Sequence, residues 1–328
     1  MYPHTLSSID TIKQPIANDL DLFEIKFREA MKSNVPLLDT IMTYIVKRKG
    51  KQIRPMFVFM SARLFTGINE STYRAASLVE LLHTATLVHD DVVDDSDERR
   101  GFFSINALWK NKIAVLVGDY LLSKGLLLSV KNKDYHLLEI VSSAVEAMSE
   151  GELLQIEKTR NLNLSEEVYF DIIRKKTASL IASCCAIGAA SAGASEEDIR
   201  KMHLFGEKIG IAFQIKDDLL DYGDDDIGKP TGIDLKEKKL TLPIIYTINN
   251  ADKTTRNYII NSIKKHNTDK KRIAEVIDYV NAHEGISYTR KVMLQYQSEA
   301  LAIIDSISNN DAAQNLKQLI EFVIDRKK

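Results

Sequence analysis

The segment Tyr73–Asp95 reads YRAASLVELLHTATLVHDDVVDD and decides the fold class of this chain. Its apolar residues recur at helical spacing, as in Leu78, Leu82 and Ala85, and the run ends in paired aspartates. Helical periodicity continues on both sides, and no proline occurs between residues 56 and 229. Alternating strand-like segments and Asn-Gly hairpins do not occur. The sequence therefore predicts an all-α protein made of a string of long helices.

Turn-forming residues predict where these helices are joined. The last junction carries three glycines, one proline and dense charge, which is typical of a functional loop. Since no repeat, low-complexity tract or domain boundary interrupts the pattern, we expect one domain over residues 1–328. The predicted junctions are 66–71, 98–104, 161–165, 193–197 and 222–239.

Composition excludes several classes of protein. Lys and Arg number 44 against 46 Asp and Glu, so the net charge of -2 gives no reason to expect a nucleic-acid partner. The two cysteines, Cys184 and Cys185, are adjacent, which excludes a disulfide framework and favours a reducing compartment. The N-terminal segment lacks the pattern of a signal peptide, and no uninterrupted apolar run is long enough to span a bilayer. We therefore expect a cytoplasmic protein.

Two aspartate clusters share the spacing D-D-x-x-D on otherwise apolar helices. A single acidic run is typical of a solvated helix end, but two copies that are each followed by basic residues are not. Like charges one helical turn apart repel by about 0.2–0.5 kcal/mol for each exposed pair unless a cation compensates. Carboxylates without His or Cys ligands suit Mg²⁺, which binds one or two of them together with substrate phosphates. The predicted metal ligands are Asp90, Asp91 and Asp94 in one cluster and Asp217, Asp218 and Asp221 in the other.

Basic residues beside glycine accompany both clusters. Each such segment alone is typical of a solvated loop, but glycine allows the close approach that a phosphate requires. Together with the carboxylates, they predict a site for a metal-bound anion and a second, metal-free anion. Three segments place Lys or Arg beside glycine, namely 49–55, 97–101 and 228–235, and the third continues into residues 239–243 with Lys239.

The combined motifs resemble those of the polyprenyl synthetase family over about residues 49–243. They are D-D-x-x-D with R-R-G, then K-T, F-Q-x-x-D-D-x-x-D and G-K-P. The resemblance implies a single-domain bundle of long antiparallel helices around a central cavity (the isoprenoid synthase fold), which is usually a homodimer. It also implies an enzyme that condenses isopentenyl diphosphate with an allylic diphosphate.

The same resemblance assigns roles to individual residues. Lys176 is expected to be catalytic together with Asp90, Asp91, Asp94, Asp217 and Asp218. Contacts to the allylic diphosphate are implied for Arg99, Lys176, Thr177, Gln214, Lys229 and Lys239, and a pocket for isopentenyl diphosphate is implied for Gly50, Lys51, Arg54, His83 and Arg100. Helical geometry independently supports His83, about 20° from Asp90, although a lone helical histidine is more often structural.

Two departures from the family pattern leave these assignments intact. Lys49 stands where the family often has the first of two glycines, and Lys238 replaces a glycine before Lys239.

Product length follows from two small residues. In the family, short-chain members place a bulky residue four or five positions before the first aspartate, and here those positions are Thr86 and Ala85. On a regular helix Thr86 lies about 40° from Asp90, whereas Ala85 lies about 140° away. We therefore expect a medium- or long-chain product of the kind used as a quinone tail. A short-chain synthase is the enzymatic alternative, and a transient membrane contact for product release is left open.

Two further alternatives are less consistent with the sequence. A terpene cyclase would not need a pocket for isopentenyl diphosphate, so Lys51, Arg54 and Arg100 count against it. An inactive regulatory subunit would be expected to have lost aspartates, and both clusters are intact.

Overall fold

The computed structural model describes residues 9–47, 50–99, 101–161, 165–223 and 231–324, and these ranges are almost entirely helical. A 3₁₀ turn (Gln14–Ile16) follows the first helix, a π-helical turn (Arg174–Ala178) precedes the ninth, and two-residue strands β1 (Glu98–Arg99) and β2 (Phe102–Phe103) pair antiparallel. The helices are α1 (Ile9–Lys13), α2 (Ala17–Met31), α3 (Pro36–Lys47), α4 (Ile53–Arg63), α5 (Glu70–Val93), α6 (Ile105–Asn132), α7 (Tyr135–Asn161), α8 (Glu166–Ile173), α9 (Ser179–Ser191), α10 (Glu196–Asp221), α11 (Ile233–Lys236), α12 (Leu242–Asn250), α13 (Lys253–Lys265), α14 (Lys270–Ala282), α15 (Gly285–Ile307) and α16 (Asp311–Ile324).

The long helices begin at polar caps that the sequence supplies. Asn69 accepts the backbone N–H groups of Ser71 and Thr72, and the Thr72 side chain bonds back to the Asn69 backbone, which completes a capping box at α5. Ser104 caps α6 and Ser195 caps α10 in the same position. These caps lie at three of the predicted junctions, so local sequence fixes where each helix starts.

The long helices pack side by side. α5 packs along α6, and α9 packs along α10, which also contacts α15. Glycines permit the closest of these contacts: a Cβ added at Gly210 would lie 2.4 Å from the Cα of Ala178, and one at Gly206 would lie 2.6 Å from that of Ala182. The predicted all-α class is confirmed, with the β1–β2 hairpin as its one exception among the described residues.

Helix α6 has an apolar face that the other described residues leave exposed. In the part of the chain that the structure describes, it alone is long and apolar enough to cross a membrane by length and composition, although it contains Asp119 and Lys124. Its regular geometry is interrupted near its start at Lys110, which has φ 71° and ψ 158°. One face packs on α5, while Leu116 and Leu127 on the other face remain 55% and 50% exposed.

Candidate active site

A cavity of about 740 Å³ lies between α2, α3, α4, α5, α7, α9, α10 and α16. Part of its wall is apolar and includes Phe57, Met148, Leu180 and Phe213. Ten of the residues predicted from the sequence lie on its wall: Gly50, Lys51, Arg54, His83, Thr86, Asp90, Asp91, Arg99, Lys176 and Thr177.

A second cavity of about 140 Å³ adjoins the first. Lys176 and Thr177 line both cavities, and Gln214, Asp218 and Lys239 line the smaller one. The structure thus brings together most of the residues that the sequence singled out. Asp94, Asp217 and Asp221 lie outside both walls, whereas Arg100 and Lys229 lie outside the described residues.

The first aspartate cluster stands at the end of α5, where Asp94 caps the helix and is exposed. Asp91 is only 4% exposed, and its Oδ1 accepts a hydrogen bond of 2.6 Å from Nε of Arg99 on the hairpin. Burial, followed by the charges of Glu152 and Asp94, raises the pKa of Asp90. Asp91 therefore holds Arg99 in place, while Asp90 is a carboxylate that a nearby cation would stabilise.

The second cluster contains a more deeply buried carboxylate. Asp218 is 3% exposed, and burial raises its pKa to about 8 even though two hydrogen bonds favour its charged form. Its Oδ2 accepts the Tyr169 hydroxyl at 2.6 Å and its Oδ1 accepts Nε2 of Gln214 at 3.0 Å. Oε1 of Gln214 in turn accepts the Thr177 hydroxyl at 2.9 Å. Both oxygens of Asp218 are thus bound by protein side chains.

Asp221 connects the second cluster to the loop that follows it. Its two oxygens accept the backbone N–H groups of Ile233 and Asp234 at 2.8 and 3.1 Å, so it caps the start of α11. This places the Asp234 carboxylate on the wall of the smaller cavity. Burial, then the charge of Asp221, raises the pKa of Asp234 to about 6. Although burial lowers the pKa of Lys239, its bond to Glu237 and the charges of Asp234 and Asp94 raise it overall.

Lys176 and Thr177 lie on the π-helical turn, a rare geometry that is frequent at functional sites. Glycines bound this turn on two sides. A Cβ at Gly151 on α7 would lie 2.8 Å from the backbone nitrogen of Lys176, and Gly210 abuts Ala178. The Lys176 ammonium is paired with Glu152 at 2.5 Å and donates to Gln155 at 3.2 Å.

The basic side of the main cavity is formed at the start of α4. Gln52 has a left-handed backbone (φ 60°) that leads into the helix, and it places Lys51 and Arg54 on the cavity wall. The Lys51 ammonium lies 5.6 Å from the ring centroid of Phe322 on α16. His83 on α5 is 7% exposed and lines the same cavity. The chemistry of these groups suits an anion.

The two candidate chain-length residues occupy different environments. Thr86 lines the main cavity, and its hydroxyl donates to the carbonyl of His83 at 2.8 Å. Ala85 has no exposed surface and belongs to the buried cluster that includes Val117 and Leu121 of α6. The structure therefore does not place Ala85 on the cavity wall.

The donor set fits a hard divalent cation bound partly by its substrate. Raised pKa values at Asp90, Asp218, Asp221 and Asp234 share burial as their main cause, and a divalent ion would offset that cost. Within the described ranges, no three Asp, Glu, His or Cys side chains converge closely enough to hold a metal by themselves. The remaining ligands would therefore be diphosphate oxygens and water, as is usual for Mg²⁺.

Three residues of the site were not predicted as functional from the sequence. Glu152 pairs with Lys176, Tyr169 binds Asp218, and Asp234 adds a carboxylate to the smaller cavity. Asp234 lies in the junction 222–239, whose glycines and dense charge predicted a functional loop. Neither Glu152 nor Tyr169 has a local pattern that distinguishes it from other helical residues.

Comparison with known proteins agrees with this geometry. The family model for polyprenyl synthetase matches residues 35–280, which include both aspartate clusters and the π-helical turn. The chain belongs to this family. Octaprenyl diphosphate synthase of Escherichia coli is 32% identical, covering 97% of this chain and 99% of that protein. Heptaprenyl diphosphate synthase component 2 of Bacillus subtilis is also 32% identical, covering 94% of this chain and 88% of that protein.

Solved structures of polyprenyl synthetases superpose over nearly the whole chain. A decaprenyl diphosphate synthase from Rhodobacter capsulatus has a TM-score of 0.91 at 34% identity, covering 98% and 100% of the two chains. A polyprenyl synthase from Caulobacter crescentus, complexed with calcium and isoprenyl diphosphate, has a TM-score of 0.88 at 31% identity, covering 99% of this chain and 100% of that chain. A geranylgeranyl pyrophosphate synthase from Bacteroides thetaiotaomicron has a TM-score of 0.80 at 38% identity, covering 96% of this chain and 98% of that chain. The isoprenoid synthase fold is thereby confirmed, and the polyprenyl synthetase described here is a prenyltransferase.

Proposed function

We propose that this polyprenyl synthetase uses Mg²⁺ to join isopentenyl diphosphate to an allylic diphosphate and makes a medium- or long-chain polyprenyl diphosphate. One observation carries the proposal. A single cavity of about 740 Å³ joins carboxylates and cations to an apolar wall large enough for a growing hydrocarbon chain. The residues 1–328 would act as one isoprenoid synthase domain.

The allylic diphosphate is proposed to bind between the two aspartate clusters. Bound Mg²⁺ would neutralise the diphosphate and stabilise it as a leaving group. Asp90, Asp91 and Asp94, with Asp217, Asp218 and Asp221, would hold the metal ions, and Asp91 and Asp218 would also orient the side chains that bind them. Arg99, Lys176 and Lys239, together with Lys229 beyond the described residues, would bind diphosphate oxygens by charge-assisted hydrogen bonds.

Isopentenyl diphosphate is proposed to bind at the start of α4, where Gly50, Lys51, Arg54 and His83 line the main cavity. Arg100, outside the described residues, would complete this pocket. No metal ligand is needed there, because three basic groups already face the cavity.

Ionisation of the primer creates an allylic cation that must be kept from water. The apolar wall provides that exclusion. The hydroxyl of Thr177 donates to Gln214, so the oxygen of Thr177 is left as an acceptor toward the cavity, where it would stabilise positive charge. Lys176 would hold the departing diphosphate beside it.

A medium or long product, of the kind that serves as a quinone side chain, is supported by the small side chain of Thr86 on the cavity wall. The octaprenyl, heptaprenyl and decaprenyl names among the relatives agree with it. The geranylgeranyl synthase at 38% identity favours the second candidate, a short-chain product.

A homodimer is proposed from the uncovered face of α6. Six large apolar residues on this helix are between 41% and 55% exposed, and exposed apolar patches often mark protein–protein interfaces. A second copy would cover it, and a cytoplasmic location is proposed for the assembly. The residues are Leu108, Val115, Leu116, Leu126, Leu127 and Val130.

One experiment tests the function directly. The purified protein is incubated with Mg²⁺, labelled isopentenyl diphosphate and primers of ten, fifteen or twenty carbons, and the dephosphorylated products are sized by chromatography. A ladder that ends well beyond twenty carbons is expected. Products that stop at or below twenty carbons would support the short-chain candidate, and no incorporation with any primer would refute both.

A further inference from the structure

We infer that Tyr169, a buried tyrosine on α8, is a positioning residue for the prenyl transfer, and that it acts by fixing the direction of the Thr177 hydroxyl. The inference deepens the proposed function and rests on it. Tyr169 is 3% exposed, contacts only the smaller cavity, and carries no charge or nucleophile that the reaction itself requires.

Three hydrogen bonds form one directed chain from α8 to the main cavity. Tyr169 donates to Oδ2 of Asp218, Gln214 donates to Oδ1 of the same carboxylate, and Thr177 donates to Oε1 of Gln214. Their lengths are 2.6, 3.0 and 2.9 Å. Tyr169 and Gln214 donate to the carboxylate itself, and Thr177 donates to the amide of Gln214. The orientation of each donor therefore depends on the group that accepts its proton.

The carboxylate of Asp218 decides which way the Gln214 amide faces. In its charged form, which a divalent cation bound nearby would favour, the Asp218 carboxylate only accepts, so the amide must turn its NH₂ group toward Asp218 and its oxygen toward Thr177. Thr177 then donates its proton to that oxygen and presents lone pairs to the cavity. If the amide turned over, Thr177 would have to accept, and its proton would no longer be held away from the cavity.

Tyr169 holds the carboxylate in the position that this chain requires. Asp218 is flanked by Asp217 on the same helix and by Asp234 across the smaller cavity, and both charges act on it. Without the Tyr169 hydroxyl, one oxygen of a buried carboxylate loses its donor, a loss that is costly for a charged group. The carboxylate would then rotate toward the cations bound nearby, and Gln214 would lose its fixed partner.

The geometry of Tyr169 is rigid enough for this role. Its ring packs against Phe170 with centroids 5.2 Å apart, and its neighbours Ile172 and Ile173 on α8 are buried in the core. α8 continues directly into the π-helical turn that carries Thr177. Both ends of the hydrogen-bonded chain are therefore attached to one continuous segment, which closes it into a loop.

The test compares Tyr169→Phe with a matched control. Tyr73→Phe removes a similar hydroxyl, since Tyr73 donates to Asp19 at 2.7 Å, but this pair lies on α5 and α2 away from both cavities. We expect Tyr169→Phe to lower kcat by about ten- to a hundredfold, the loss typical of one hydrogen bond to a charged group. The KM for isopentenyl diphosphate should change less than twofold. Tyr73→Phe should keep the parent kcat, and it should lower the melting temperature by about as much as Tyr169→Phe does.

A double-mutant cycle shows whether Tyr169 acts through Thr177. In a Thr177→Val background the hydroxyl is already absent, so adding Tyr169→Phe should lower kcat no further. If Tyr169→Phe does not fold at the assay temperature, Gln214→Met is used instead, because it breaks the same hydrogen-bonded chain at its middle. In the Thr177→Val background, Gln214→Met should likewise lower kcat no further.

Two results would overturn the inference: an unchanged kcat in Tyr169→Phe, or a full additional loss on top of Thr177→Val. Failure of the proposed function is distinguishable, because the parent enzyme would then form no prenyl product from labelled isopentenyl diphosphate.

Discussion

Replacing Thr86 by phenylalanine is expected to shorten the product, and the same ring at Ala85 is expected to act mainly on stability. Thr86 lies on the cavity wall one turn before Asp90, so a larger side chain extends into the path of the growing chain. Ala85 lies against α6 in a cluster with Leu121, where a ring must displace packed side chains.

The size of both effects follows from the structure. Phenylalanine has four more side-chain heavy atoms than threonine, which occupy roughly 80–100 Å³ at interior packing density. That is about an eighth of the 740 Å³ cavity, comparable to the five carbons added by one condensation. The ring enters only about 6 Å along the helix from Asp90, so it blocks the path of the growing chain near its start rather than at the far end of the cavity. Products of about fifteen to twenty carbons are therefore expected.

The ring at Ala85 has a different cost. Overpacking of a buried site destabilises a protein by about 1–3 kcal/mol. For a chain of this size that lowers the melting temperature by about 1–2 °C for each kcal/mol. Ala85→Phe should therefore melt several degrees below the parent and shorten the product less than Thr86→Phe does.

Product ladders and melting curves of the two variants are measured side by side, together with the rate of the first condensation. That rate should stay near the parent value in Thr86→Phe, because ionisation occurs beyond the new ring. A greater shortening in Ala85→Phe than in Thr86→Phe, without loss of stability, would refute the orientation of α5 on which this reasoning depends.

Three further predictions concern the charged groups of the site. EDTA should abolish turnover, and Asp90→Ala or Asp217→Ala should lower kcat by orders of magnitude with an unchanged circular dichroism spectrum; substantial turnover in EDTA would contradict the metal assignment. Arg54→Ala should raise the KM for isopentenyl diphosphate and Lys176→Ala that for the primer, each by about ten- to a hundredfold, whereas equal weakening of both substrates in both variants would show that the two pockets are not separate. The pKa of Asp218 is raised from 3.8 to about 8, so the folded metal-free protein binds more protons than the unfolded chain and its stability should fall as pH rises from about 4 to 8. Thermal melts without metal should show a flatter pH dependence in Asp218→Asn than in the parent, and identical profiles would contradict the buried position of this carboxylate.

Sequence periodicity was sufficient for the fold because helix propensity, capping residues and apolar spacing agree along the chain. The structure starts α5 after Asn69 and α10 after Ser195, where turn residues predicted junctions. The hairpin at Glu98–Arg99 was not predicted, since two-residue strands leave no alternation to detect. Geometry also predicted which of Thr86 and Ala85 would share a face with Asp90, because 3.6 residues per turn fixes that angle.

The partners of the predicted residues could not be derived in the same way. D-D-x-x-D spacing identifies six carboxylates as a group, but burial alone distinguishes Asp91 and Asp218 from their neighbours. Burial depends on which helix packs over each side chain, and that is a property of the tertiary fold. Tyr169 and Glu152 come from other helices and meet their partners only after packing.

The second aspartate cluster is held in place by polar contacts rather than by apolar packing alone. Tyr169 and Gln214 bind Asp218, and the backbone of α11 binds Asp221, while burial raises the pKa of both carboxylates. The fold thus keeps like charges close together, and burying them has a cost in stability that the raised pKa values of both carboxylates reflect. A ligand that binds only the folded state and adds positive charge there must stabilise it in proportion to its affinity. Metal binding and folding stability should therefore be coupled most strongly at this cluster, which explains why its acids are anchored by hydrogen bonds before any substrate arrives.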